Sequence, residues 1–194
     1  MTALGNGLYA ADHSEDALSV DETRLSMMRR LGAPEANILA AQGNLAVTYQ
    51  RLGRREEALS MREDVYSRRL KLFGEEHEDT LAAANNYGST LNGLQRYAET
   101  KSLLRNTTPL ARRVLGECDR LTLKIRWNYA LALFRDNGAT LDDLREAVTT
   151  LEDAGRIALR VLGGAHPNTA GIERALRNAR AALRTRETPS PGSA

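Results

Sequence analysis

The chain is predicted to be all-α, a stack of antiparallel helix pairs, and three observations carry that prediction. Of its 194 residues 42% are apolar but only 5% aromatic, and Ala, Leu, Arg and Glu, which suit helices better than strands, are abundant. An apolar-glycine mark recurs at Leu31-Gly32, Phe73-Gly74, Leu115-Gly116 and Leu162-Gly163, in steps of 42, 42 and 47 residues. Asn44, Asn86 and Asn128 also stand 42 residues apart, each 12 residues after a glycine mark. Two rulers that agree define an internal repeat, whose units bury their apolar faces only against one another.

The elements follow in order. A lone helix is predicted over 14–31, stopped by Gly32, because glycine accepts the left-handed conformation at a helix C-terminus. Helix pairs then span 36–73, 78–115 and 120–162. Each begins after a short polar loop (APEAN, EEHED, ECDR) and contains a shorter helix, a turn and a longer helix. Pro34 and Pro167 suit helix starts, where a missing N–H costs nothing. The segment "LTLKIRWNYALAL" at 121–133 alternates at period two, as a half-buried strand would. Its register with two helical neighbours nonetheless predicts a helix, since stacked units must share one shape.

In the second pair, Pro109 falls inside the longer helix. A proline there costs about 3 kcal/mol or forces a kink, so a bend near 105–109 is expected, with Thr108 capping a restarted helix. The third pair is longer, and its extra residues belong to "DNGATLDD". Asn137-Gly138 signals a turn, and Thr140 with Asp143 resembles a capping box that starts the second helix early. A last helix follows over 168–185. Residues 1–13 are expected to be a partly ordered N-terminal segment, 14–185 the repeat domain, and 186–194, with "TPSPGSA", a disordered tail.

Composition narrows the function. A formal charge of +2 gives no basic stripe for nucleic acid. Charge is unevenly placed, however: Asp12, Glu15, Asp16, Asp21 and Glu22 make the start acidic, and Arg174, Arg177, Arg180, Arg184 and Arg186 make the last helix basic. These are either solvated end faces or the basis of end-to-end self-association. The single cysteine, Cys118, allows no intramolecular disulfide, and no apolar run reaches the ~20 residues of a membrane helix. A cytoplasmic protein without membrane insertion is expected. His77 and His166 each stand three residues after a glycine mark, so the repeat accounts for them without a metal. No phosphate-binding loop, nucleophile elbow or zinc-protease motif is present. No enzyme activity, cofactor or small-molecule substrate is expected.

The residues "NLAVTYQRLGRREEAL" (44–59) and the loop "RLKLFGEEHEDT" (69–80) resemble the 42-residue tetratricopeptide repeat of kinesin light chains and their relatives. The first repeat supplies Asn44, Leu45, Ala46, Tyr49, Gly53, Glu57 and Ala58. The second keeps Asn85, Asn86, Gly88 and Tyr97, but has Leu91 for the tyrosine and Thr100 for the alanine. The third keeps Asn128, Ala130, Glu146 and Ala147, and ends in Leu162-Gly163 and His166-Pro167. The last helix has Ala175 where the asparagine belongs, as a capping helix would. The resemblance implies a right-handed superhelical solenoid of antiparallel helix pairs. HEAT and armadillo solenoids share the repeat length, but the Leu/Ala/Tyr and Glu-Ala spacing argues against them. Small residues such as Ala46, Gly88 and Ala130 are expected to let helices approach, with Tyr49 or Leu133 filling the space beside them.

The resemblance also implies a protein-interaction module whose first helices line a concave groove. Asparagine offers both a donor and an acceptor, so Asn44, Asn86 and Asn128 could hold an extended peptide whatever its sequence; equally, each could tie its helix to the one before. Residues one before, three after and six after each asparagine share that side: Gly43, Val47 and Gln50; Asn85, Ser89 and Asn92; Trp127, Leu131 and Phe134. The third set is apolar, and forms either an anchor for a peptide or a stripe covered as core by the 168–185 helix or its own repeat's second helix. Lys124 lies near Trp127. A carboxylate clamp of the Lys, Asn, Asn, Lys, Arg kind known in similar repeats is reduced here to Asn86 and Lys124, so chaperone-tail binding is not expected. The expected groove set is therefore Asn44, Asn85, Asn86, Asn92, Lys124, Trp127, Asn128 and Leu131, with a protein or peptide as partner. The alternative is a structural subunit packing through its ends or convex face in a larger assembly.

Overall fold

A computed structural model describes residues 14–188 of the chain. Eight α-helices and no strand occur among them: α1 Ser14–Arg30, α2 Glu35–Arg51, α3 Arg55–Phe73, α4 Glu78–Gly93, α5 Tyr97–Val114, α6 Arg120–Arg135, α7 Leu141–Leu162 and α8 Pro167–Glu187. The expected partial order of 1–13 and most of the expected disordered tail fall outside the described residues, and α8 continues two residues past the expected end at 185.

The helix joints follow from their residues. Gly74 and Gly163 close α3 and α7 at φ 82° and 81°, a region that strains any side chain with a Cβ. Three residues past each of the last three glycine marks stands a residue that caps the next helix. The Nδ1 of His77 accepts from the Asp79 N–H at 3.1 Å and that of His166 from the Asn168 N–H at 3.1 Å. Between them in sequence, Asp119 accepts from the N–H groups of Leu121 and Thr122 at 2.7 and 3.2 Å. Histidine and aspartate alternate at one register because either offers an acceptor to the unpaired first-turn donors. Thr140 and Asp143 form a complete capping box, and α7 starts early as its sequence indicates.

Segment 121–133 lies wholly within helix α6, so its two-fold alternation reflects burial on several sides and not a strand. The restarted helix expected at Thr108 does not occur. Helix α5 runs unbroken through Pro109, and the Thr108 hydroxyl donates back to the Leu104 carbonyl at 2.7 Å instead of capping a new start. The neighbouring Thr107 hydroxyl does the same to Leu103 at 2.9 Å. Leu104 and Ala111, on either side of the proline, are fully buried, and that burial holds the helix together across the one hydrogen bond that Pro109 cannot make.

Two compact units divide within α4, one ending at Thr90 and the other beginning at Leu91. In the first, Leu18 and Leu25 of α1 pack with Ile38, Ala41 and Leu45 of α2, and Tyr49, Leu52 and Met61 close around them. A second cluster joins Leu39, Val65 and Ala83, with Tyr66 beside it. The Thr48 hydroxyl donates to the buried Asp21 carboxylate at 2.7 Å, and the Tyr49 hydroxyl to Glu22 at 3.0 Å, tying α1 to α2. In the second unit α6 packs against α5, α7 and α8. Its core is built from Leu104, Leu123, Ile125, Leu133, Leu151 and Ile172, with Ala130, Ala147, Ala154 and Ala158 wholly buried among them. Alanines at those positions allow backbones to approach while the leucines fill the remaining space.

Candidate functional site

In the first unit, α2, α3 and α4 enclose a cavity of about 230 Å³. Its apolar floor is Leu39, Val65 and Ala83, and its rim carries Asn44 and Val47 from α2 and Asn86 from α4. Asn44 and Asn86 are both exposed. The Asn44 amide has no hydrogen-bond partner among the described residues, while the Asn86 side-chain oxygen accepts a long 3.4 Å bond from Asn85. Two of the three asparagines read from their spacing, Asn44 and Asn86, are thus brought to one concavity, whereas Asn128 is half-buried in the second unit. Asn85, by contrast, is buried, because it faces into the helix stack one position before the exposed amide.

Two further residues of this cavity escaped the sequence reading, Arg62 and Arg69 of α3. Arg62 is only 9% exposed. Its Nη1 donates to the Asn86 carbonyl at 2.9 Å and to the Thr90 hydroxyl, and no carboxylate among the described residues pairs with it. Burial alone pulls its guanidinium below the ordinary arginine value. Arg69 donates from Nη1 to the Asp79 carbonyl at 2.9 Å and lies 3.5 Å from the Asp79 carboxylate, but its Nε is buried without a partner. A signal for both was present in the repeat register. The positions equivalent to Arg62 are Leu104 and Leu151, and those equivalent to Arg69 are Ala111 and Ala158, all buried apolar residues.

The second unit places the remaining residues differently. Lys124 is exposed, and Trp127, Asn128 and Leu131 are half-buried on α6. The six-membered ring of Trp127 lies directly on Gly171 of α8, where an added Cβ would stand 2.3 Å from the ring. Its indole nitrogen is buried and unpartnered. Helix α8 therefore covers part of the apolar stripe, as the core reading has it, while Leu131 and Phe134 remain half-buried. Asn92 is buried, and its amide donates to the Asn128 carbonyl at 2.9 Å, so it stitches α4 to α6.

A second cavity, of about 310 Å³, lies among α5, α6 and α7. There the Tyr129 hydroxyl donates to Glu146 at 2.8 Å and accepts from Arg105 at 3.3 Å, and burial pushes the phenol up. Arg126, as buried as Arg62, has Glu117 at 3.2 Å and Asp153 at 3.8 Å. The charges around this cavity are matched internally. Among the described residues no group of three His, Cys, Asp or Glu side chains is placed to hold a metal ion, and no helix is long and apolar enough to cross a membrane.

Comparison with known proteins agrees with this architecture. The tetratricopeptide repeat family model matches residues 37–99. Clustered mitochondria protein homologs of Aspergillus clavatus and Emericella nidulans are 25% and 24% identical over 166 residues, covering 85% of this chain. The chain spans only 13% of the length of each. Among solved structures, the nearly identical kinesin light chain TPR-like repeats of Podospora anserina superpose with a TM-score of 0.79 at 21% identity, covering 95% of this chain and 85% of theirs. BtubC (BKLC) from P. vanneervenii superposes with a TM-score of 0.63 at 14% identity, covering 100% of this chain and 82% of its own. With its glycine-marked helix pairs and recurring asparagines, the chain has an all-α repeat fold similar to that of kinesin light chain repeats, and residues 37–99 match the tetratricopeptide repeat.

Proposed function

We propose that the chain is a non-catalytic adaptor that holds an extended segment of a partner protein, with the cavity among α2, α3 and α4 as its principal grip. The observation that carries this reading is the pair Asn44 and Asn86, one period apart in sequence and both exposed on the rim of the same cavity. Paired amides suit an extended backbone, because each can donate to a carbonyl and accept from an N–H. In the second unit, the exposed Lys124 and the half-buried Asn128 and Leu131 are assigned to contacts with a partner segment on that unit alone. Trp127 serves chiefly to seat α8, and Asn85 and Asn92 to brace the stack.

The test is selection of extended peptides from a random display library on the full chain, followed by affinity measurement on the Asn44→Ala/Asn86→Ala double variant. Exposed positions, here with only the one long bond from Asn85 to Asn86, change stability by about 0.5 kcal/mol or less, so the variant should melt like the parent while its affinity falls roughly tenfold or more. Equal affinity for parent and variant would remove the groove from the account, and would favour a subunit that packs through its other faces.

A further inference from the structure

We infer that α8 of one copy docks beside α1 of a second copy, the two serving as first and second helix of a repeat hairpin, so that chains join head to tail. The inference is independent of the peptide-binding reading and uses neither Asn44 nor Asn86. Its basis is the register of the outermost described helices. Helix α1 closes on Gly32, at φ 64°, as α3 and α7 close on Gly74 and Gly163, and so stands where the second helix of a pair stands. Helix α8 starts from the cap three residues after Gly163, as α6 starts three residues after Gly116, and so stands where a first helix does. Within the chain α1 packs against α2, and α8 against α6 and α7.

Exposure marks the sides left open. Ala58, Thr100 and Ala147 share one register of the second helices and Val65, Thr107 and Ala154 another, and all six are buried. Counted back from Gly32, the same positions of α1 are Asp16 and Thr23, and both are exposed. Met27, at the register of the wholly buried Ala111 and Ala158, is 43% exposed. The first helices show the complementary departure. Leu39, Leu81 and Leu123 are buried at one register, and Ala46, Gly88 and Ala130 at another. In α8 these positions are Ala170 and Arg177, and both are exposed. Arg180 stands exposed where Leu91 and Leu133 are buried. In the third pair the Tyr129 hydroxyl reaches Glu146, and Arg126 reaches the Thr150 carbonyl, which fixes the antiparallel register. Carried over to α8 and α1, it sets Arg177 against Asp16 and Ala170 against Met27.

Charge selects the occupant. The first half of α1 exposes Glu15, Asp16 and Glu22, and the second half of α8 exposes Arg177, Arg180 and Arg184. Arg180 pairs with Glu152 at 2.7 Å, whereas Arg177 and Arg184 have no carboxylate partner among the described residues. An antiparallel hairpin lays these two halves side by side. Contacts of α1 with α1, or of α8 with α8, would bring like charges together, so the complementary arrangement is heterologous. Exposed ion pairs are individually weak, and the association is therefore concentration-dependent and screened by salt.

The experiment is sedimentation of the full chain over rising concentration at low salt, for the parent, Arg177→Glu/Arg184→Glu and Glu15→Arg/Asp16→Arg. All four positions are exposed, so each variant should keep the parent's circular dichroism. Expected is a mass that grows with concentration in the parent and returns to the monomer in about 0.5 M salt. Each variant alone carries like charge on both faces and should stay monomeric, while an equal mixture of the two, which restores opposite charge at every contact, should regain the parent's mass. A parent that is monomeric throughout, a variant that associates alone, or a mixture that stays monomeric each overturns the proposal. A cross-link checks the pairing: with the exposed Cys118 changed to Ser, Ala170→Cys and Met27→Cys chains are mixed under oxidising conditions. The mixed disulfide should form roughly tenfold faster than either symmetric one, because docking holds the two thiols at high effective concentration. Equal rates overturn the pairing. Neither result bears on peptide selection by the first unit's cavity, so the two readings fail separately.

Discussion

Asp143 is held by three groups at once. The Thr140 backbone N–H and hydroxyl reach it at 3.0 Å each, and the Lys101 ammonium lies 3.2 Å away on α5. Burial by itself raises this carboxyl, but the hydrogen bonds from Thr140 and the pairing with Lys101 outweigh it and hold the group below the ordinary aspartate value. The sign follows directly: a depressed folded value contributes stability that is present above the unfolded pKa, about 3.9 for aspartate, and is lost as pH falls through the folded value. Acid titration of the melting temperature should therefore show a steeper fall below about pH 4 in the parent than in Asp143→Asn, and parallel curves would count against the linkage. The capping role was legible in the sequence, because Thr and Asp three apart before an apolar run identify themselves. The bond to Lys101 was not, since nothing local to either residue indicates a contact across 42 positions.

At the scale of elements, the contact of α6 with α8 depends on the absence of one methyl group. A Cβ at Gly171 would stand 2.3 Å and 2.6 Å from two carbons of the Trp127 ring. Gly171→Ala should therefore displace the ring and destabilise the protein by about 1–3 kcal/mol. Trp127 is the only tryptophan of the chain, so its emission reports the displacement without labelling, and an unchanged spectrum with an unchanged melt would refute the contact. Element positions were read well from the sequence because two independent periodicities located the joints. The restart at Thr108 was not borne out for the opposite reason: local propensity carries no signal of the buried Leu104 and Ala111 on either side of Pro109 in the continuous helix α5. Arg62 and Arg69 carry no local motif and stand out only against Leu104 and Leu151, and Ala111 and Ala158, at the same register of the other second helices.

For the whole molecule, stability in a repeat array is close to a sum of local contributions and contacts between neighbours. Leu151 is fully buried within the second unit. Leu151→Ala should cost about 2–5 kcal/mol, and hydrogen exchange should lose protection first in α7 and the helices packed against it, with smaller losses in α1 to α3. Uniform loss across the chain would mean that the two compact units open as a single cooperative body.

The glycine-capped joints have a bearing on how such a chain changes length. Each of the joints at Gly74, Gly116 and Gly163 presents a left-handed glycine and a side-chain acceptor three positions later, so it works as a standard coupling, indifferent to which hairpin arrives on either side. The third repeat shows where additional chain is tolerated, since its surplus residues are divided between a longer turn after α6 and an earlier start of α7, and leave the coupling at Gly163 unaltered. Growth or loss by whole hairpins thus keeps every coupling usable, and surplus within a hairpin is absorbed at its tip.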